Sequence, residues 1–343
     1  MKRILGRLAR WICLTLLAVS ILLIGAWCAL AVWFRGIGNE PVRDVLAGTT
    51  FVLALVTVGC LATPWRWRGF AFYAAVVAVI VIWWWTIHPT NDREWSPDVA
   101  RRVTATIDGD HLVVSNVRDF NWRSDTDFDQ RWEQRAYNLS NVTNVDLIMS
   151  YWGDEAIAHT IVSFGFDHGS RLAFSIEIRK ERDEAYSAIA GFFKQYELAI
   201  VAADERDVVR VRSNVRGEDV RIYRLRMTPA NARVLLRKYV EEADDLARTP
   251  RFYNTLTTNC TTLVFQMVRV VHPGLPMDYR VLLSGYLPNY AYSLGVTDTS
   301  MPFEKLRDFS RIHDKAIRAD TDPDFSARIR EGIPNPSGNQ RHG

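Results

Sequence analysis

The stretch AIAHTIVSFGFDHGSRLAFSIEIR, residues 156–179, sets the fold class of this chain. Both halves are rich in β-branched and aromatic residues, and Asp167-His168-Gly169 between them is a turn sequence, so the stretch reads as a β-hairpin. With Phe166 facing Ser170, counting back along both strands sets His159 opposite Glu177. Directly opposed residues share a sheet face with Cβ atoms about 4.5–5.5 Å apart, which lets the Glu177 carboxylate orient the imidazole of His159. A bulge would shift the pairing by one residue and break it. The plainer reading of the same pair is a cross-strand ion pair without further role.

Around the hairpin, residues 111–117, 145–151, 197–202 and 219–227 carry strand patterning. Residues 181–195 read as a helix and 119–135 as an ordered surface loop. Thr228-Pro229 is a helix start, hydroxyl cap then proline, and Ala232, Leu235, Leu236, Tyr239 and Ala243 recur on one face of the helix running to about residue 247. A second, apolar helix over 261–271 is stopped by Pro273-Gly274. These elements predict an α+β domain over 110–318 with an antiparallel sheet. A polar connector over 89–109 precedes it, and the polar composition from Ala319 predicts a disordered tail over 319–343.

The N-terminal quarter differs in kind. Residues 11–34, 45–63 and 69–87 are apolar runs near or above the length that crosses a bilayer core of about 30 Å. A signal peptide is the rival reading of the first, but its apolar run is long and two more follow. Trp83, Trp84 and Trp85 close the third run as an interfacial aromatic cluster. Residues 1–90 carry eight basic residues against two acidic, while the remainder carries 34 against 37. The positive charge therefore flanks membrane spans and gives no basic face for nucleic acid. The basic start (1–10) and the turn Pro64-Trp65-Arg66-Trp67-Arg68 favour the cytoplasm, so three crossings place everything after His88 outside it.

Cys13, Cys28 and Cys60 fall within the apolar runs, which leaves Cys260 as the lone thiol of the domain. It stands in NTLTTNCTTLVF, residues 254–265, where polar capping residues give way to an apolar helix. A thiol at a helix N-terminus feels partial positive charge that favours the thiolate, and free amides there can hold an oxyanion. Buried free cysteine is the bland alternative. Among the histidines, His159 lies in the interior of a strand, so Cys260, His159 and Glu177 form a candidate nucleophile, base and orienter. Asn259 either donates to an oxyanion or caps the helix. The run Glu205-Arg206-Asp207 with Arg210, Arg212 and Arg216 either holds a phosphate or lipid headgroup or is a solvated face. No His/Cys cluster has zinc spacing, the aspartates of 119–129 lack the glycine and glutamate of an EF-hand, and no cofactor is expected.

The blocks Tyr151-Trp152-Gly153 with Ile157-Ala158-His159-Thr160, Ser175 through Arg179, Ala203 through Asp207, and Tyr253-Asn254 through Asn259-Cys260-Thr261 resemble the Lnb N-terminal periplasmic domain family over roughly residues 110–290. The resemblance implies a circularly permuted papain-like thiol enzyme, in which the His strand precedes the Cys helix. It also implies relatives among bacterial lipoprotein N-acyltransferases, with Cys260 as nucleophile and His159 as base. Arg179, Arg206 and Tyr253, which stand in these blocks, become candidate headgroup or substrate contacts. The expectation is a multi-pass protein of the bacterial inner membrane with its catalytic domain in the periplasm. It would be an acyltransferase or acyl hydrolase working through a thioester, on membrane lipid or lipoprotein. A cysteine peptidase or amidase is the alternative enzyme, and a non-catalytic partner-binding protein the alternative class.

Overall fold

The computed structural model describes residues 2–336. Three helices, α1 (Lys2–Arg35), α2 (Glu40–Cys60) and α3 (Arg66–Thr86), are each long and apolar enough to cross a membrane. With residues 187–195 they make up one of two compact units. Gly25 lets α1 and α2 approach closely, since a Cβ there would overlap that of Ala54. Buried Tyr73 donates its hydroxyl to the Ile21 carbonyl at 2.7 Å, tying α3 to α1. Helix α2 starts with Asn39 as its cap, the side chain accepting from the Val42 amide.

Residues 187–195 are not the helix expected over 181–195. They form a tight turn around a short 3-10 stretch, Ala190–Phe192. Its partners are the ends of the apolar helices: Phe193 stacks on Phe34 (centroids 5.4 Å apart) and meets Trp84 edge-on. Lys194 donates to the carbonyls of Trp84 and Ile87 at 2.9 and 3.2 Å, satisfying the C-terminus of α3.

The second unit, residues 91–186 and 196 onward, is α+β. Its strands are β1 (Thr104–Asp108), β2 (His111–Arg118), β3 (Asn121–Trp122), β4 (Phe128–Asp129), β5 (Trp132–Asn138), β6 (Val142–Tyr151), β7 (His159–Phe166), β8 (Arg171–Arg179), β9 (Glu197–Ala203) and β10 (Asp219–Arg224). An eight-stranded sheet runs β1-β2-β9-β8-β7-β6-β10, with β5 pairing β2 as well. It is antiparallel except for one parallel bridge, Arg118 to Ala203, which joins the β1-β2-β5 part to the rest. Strand β1 lies where a connector was expected, and its pairing with β2 extends the domain toward its N-terminal side. The presumed surface loop over 119–135 is instead the small hairpin β3–β4 followed by β5, and Phe120 and Trp122 there are buried.

Strands β7 and β8 keep the register counted from the sequence, with Gly165 opposite Arg171 and Ile161 opposite Ser175. Strand β7 is buried along its whole length because helices cover both faces of the sheet. On one face, Phe164 and Phe174 pack on Tyr239 of α5 (Pro229–Arg248). That helix buries Ala232, Leu235, Leu236, Tyr239 and Ala243, the face its periodicity defined, and each fully buried leucine contributes about 1.5–3 kcal/mol. Helix α6 (Cys260–Val271) lies beside it. On the other face, Ile161 and Ala173 pack with Val208 of α4 (Glu205–Val208) and with Val209.

Five short helices follow α6: α7 (Tyr279–Leu282), α8 (Leu287–Ser293), α9 (Phe303–Ser310), α10 (His313–Arg318) and α11 (Phe325–Arg328). The disordered tail expected from Ala319 does not start there. Phe325 and Ile329 are fully buried in the second core, and Arg330 bonds Asp146 and Glu205. Residues 337–343 of that expected tail lie outside the described residues.

Candidate active site

Cys260 is the first residue of α6, and Asn259 is its cap. The Asn259 carboxamide oxygen accepts from the amides of Thr261 and Thr262, both at 2.9 Å, while its Nδ2 donates to the Thr255 carbonyl at 2.7 Å. Of the two sequence readings the geometry is that of the cap, since the carboxamide nitrogen is already committed. The amide of Cys260 itself is not spent on the cap and stands at the positive end of the helix.

His159 opens β7, rather than lying within the strand that was expected to start at Ala156. The preceding residues turn under the Asp154 carboxylate, which accepts from the Ala156 amide at 2.7 Å. Two further bonds tie this backbone to the segment after α7: Gly285 donates to the Ala156 carbonyl, and the Ala158 amide donates to Ser284 Oγ, both at 2.9 Å. Only glycine fits at 285, because a Cβ there would overlap the Glu155 carbonyl. The approach of these backbones fixes where His159 starts its strand.

The imidazole is nearly buried, and its Nε2 lies 2.6 Å from Ser175 Oγ and 3.1 Å from Glu177 Oε1. Ser175 in turn donates to Glu177 at 2.6 Å. Nε2 is thus committed to the acid side, and Cys260 lies close enough to His159 for each to shift the other's proton affinity. Glu177 also accepts from Arg212 Nη2 at 3.1 Å. Arg212 reaches Glu218 at 3.3 Å, and Glu218 accepts from Ser150, the residue paired with His159 across β6 and β7.

These contacts decide the charge states. Burial pushes the Cys260 thiol up, but the hydrogen bond and charge of His159, with the Thr160 amide and the Thr261 hydroxyl, bring it below its ordinary value. Burial and Arg212 depress His159, yet Glu177 and the thiol raise it overall. Burial also opposes the charge on Glu177, and His159, Arg212 and Ser175 together hold it well below the carboxylate range. A depressed thiol, a raised imidazole and an ionised acid in sequence favour a thiolate–imidazolium pair.

Sequence reasoning missed Ser175 and Arg212. The first was readable, because strand period two puts Ser175 on the face of Glu177. The second was not, because Arg212 lies in a π-helical turn, Val211–Val215, whose phase the run of arginines does not reveal. Of the other candidates, Arg179 donates to the carbonyls of Val99 and Ala100 and to Asn91, and stacks on Trp95, so it holds the entry to β1. Arg206 donates to the Asp322 carbonyl. The Arg179 guanidinium is spent inside the protein, while that of half-buried Arg206 makes this bond. Tyr253 is buried, and its phenol is raised by burial and then by Cys260. The charge run is neither a headgroup cradle nor a solvated face: Glu205 and Asp207 are buried, Arg210 pairs with Asp320, and Arg216 with Asp125. Among the described residues, no group of three or more His, Cys, Asp or Glu side chains is placed to hold a metal ion.

Fold and helices together define a membrane-anchored α+β protein carrying a Cys–His pair on its globular unit. Residues 128–285 match the Lnb N-terminal periplasmic domain family, and together with the three apolar helices this match supports a membrane-anchored protein with a periplasmic domain. No curated protein and no solved structure matches the chain.

Proposed function

We propose that the protein is a thiol-dependent acyl-transfer enzyme, with Cys260 as nucleophile, His159 as base and Glu177 as orienter. The observation that carries this reading is Cys260 at a helix start beside a histidine whose Nε2 is held by Ser175 and Glu177, an arrangement that lowers the thiol. The Cys260 thiolate attacks an ester or amide carbonyl, and the oxyanion draws on the helix-start amide of Cys260. Collapse of the tetrahedral intermediate breaks the bond to the leaving alkoxide or amine, which takes the imidazolium proton from His159 and leaves a thioester. An amine or water, deprotonated by the imidazole, then attacks the thioester and restores the thiol.

The order of a His strand before a Cys helix supports a permuted papain-like arrangement. The basic N-terminus and the 64–68 turn support an inner-membrane, multi-pass topology with the domain outside. Exposed apolar side chains on the segments that adjoin the site, Trp152 and Ile157 before His159 and Leu256 before Cys260, favour an acyl chain over a peptide as substrate.

The test is intact-mass analysis of the protein incubated with phospholipid or lipoprotein. An acyl adduct on Cys260, removed by neutral hydroxylamine and absent from Cys260→Ser, supports the reading. Adducts from peptide or peptidoglycan substrates alone would replace it with the peptidase or amidase. A thiol that no substrate acylates, and that alkylates only at alkaline pH, would leave a partner-binding domain.

A further inference from the structure

The turn over residues 187–195 has a composition that a solvent-facing loop does not need: Ala188, Ile189, Ala190, Gly191, Phe192 and Phe193 run consecutively. Its fixed side is Phe193, buried against Phe34 and Trp84. Phe34 ends α1 and Trp84 belongs to the last turn of α3, so these two helices finish on the same side, and the turn sits at that end. Trp27 packs edge-on with Trp84, as expected for parallel neighbours joined through an antiparallel α2. Its other side is open: Ile189 is 57% exposed and Phe192 45% exposed.

Polar backbone at this depth needs internal partners. The turn supplies them, with Gly191 bonding Ser187, Phe192 bonding Ile189 and Phe193 bonding Ala190 through backbone amides and carbonyls. Tryptophans 83 to 85 mark the headgroup level on the neighbouring helix, and Lys194 places its ammonium at the same helix end. An apolar side chain one residue from Phe193 and another four residues from it are therefore held where acyl chains meet headgroups.

We propose that residues 187–195 form an interfacial loop whose Ile189 and Phe192 side chains enter the outer leaflet of the bilayer. The partner is lipid itself, and the contact is apolar, not headgroup-specific. The proposal stands apart from the chemistry at Cys260, because it concerns only the helix ends and this turn.

The experiment uses the full chain in nanodiscs of phosphatidylethanolamine and phosphatidylglycerol, in a background whose native cysteines are replaced. An environment-sensitive fluorophore is attached through Ile189→Cys, Phe192→Cys or, for comparison, His168→Cys in the exposed hairpin turn. At 189 and 192 the expected result is blue-shifted emission. Quenching there should be severalfold stronger from lipids spin-labelled near the headgroup than at 168, with weak quenching by aqueous iodide. Emission and iodide quenching at both sites equal to those at 168, in protein that remains monodisperse, would overturn the proposal. Strong quenching at either site supports it whether or not Cys260 is acylated by any substrate.

Discussion

Two polar constellations lie on the same sheet, and they differ in where their hydrogen bonds end. Around Asp146 and Glu205 the bonds to the two carboxylates close on themselves. Arg171 donates to both carboxylates, Arg330 donates to both, Arg224 adds to Asp146, and Ser163 adds to Glu205 at 2.5 Å. Around Glu177 the bonds form a chain instead, from Arg212 through Glu177 and Ser175 to His159, and the chain ends on a half-buried thiol. Both carboxylates, Glu205 and Glu177, are pulled below their ordinary range by cations. The shift alone does not separate structure from chemistry; the open end does.

That contrast breaks first at the thiol. Cys260→Ser should leave the fold intact, since the change is nearly isosteric, while acylation falls by at least about a thousandfold. Single-turnover acylation and a urea midpoint, measured on the same sample, check both halves. Loss of the midpoint along with acylation would place Cys260 with the closed cluster.

The closed cluster should show the reverse. Glu205→Gln leaves Arg171 and Arg330 short of a buried anion, which costs about 3–5 kcal/mol of stability. Alkylation of Cys260 in the protein that remains folded should be unchanged. Burial opposes the charge on Glu205, but Arg330 and Arg171 bring its carboxyl down to about 2. A carboxyl depressed on folding gives stability that is present above its unfolded value of 4.5 and is lost as pH falls through about 2. The wild-type midpoint should therefore fall through that window, and the Glu205→Gln midpoint should fall less.

The open chain was the more legible of the two in the sequence, for a physical reason. A β-hairpin register is local, so His159 and Glu177 could be set together by counting from one turn, and a cap followed by an apolar helix announced Cys260. Helix α5 and the three apolar helices were also local patterns. The closed cluster depends on Arg330 meeting Asp146 across 184 positions, and no local pattern carries that. The last described segment therefore looked like a tail: its large core residues, Phe325 and Ile329, stand among charged neighbours. Residues 187–195 were misread as helical because their partners are helix ends more than a hundred positions earlier.

Gly285, packed against the Glu155–Ala156 backbone, shapes the open chain without touching it. Gly285→Ala forces the Glu155–Ala156 backbone to move, at a cost of about 1–3 kcal/mol. Because that backbone leads directly into His159, acylation should fall by more than the stability loss alone explains. Equal alkylation and acylation rates in Gly285→Ala and wild type would show that the start of β7 is set elsewhere.

The smallest effect expected is the most direct probe of the open chain. Glu177→Gln keeps the shape of the side chain and its contacts with Ser175 and Arg212 but removes its charge. His159 is raised chiefly by that charge, against burial and Arg212, so its imidazolium becomes less favoured in the variant. The imidazolium is what holds the Cys260 thiol below its ordinary value, so the thiol must rise. The inflection in the rate of iodoacetamide alkylation against pH should then move upward. Acid stability should change in a matching sense. Glu177 is depressed on folding, so the wild type carries stability above pH 4.5 that is lost as pH falls through the lower folded value; the glutamine variant lacks that component. An alkylation profile that does not move would cut Glu177 from the chain and leave Ser175 as the group that fixes Nε2, whereas a profile that moves without any loss of acylation would mean that orientation, not charge, is what the thiol needs from this acid.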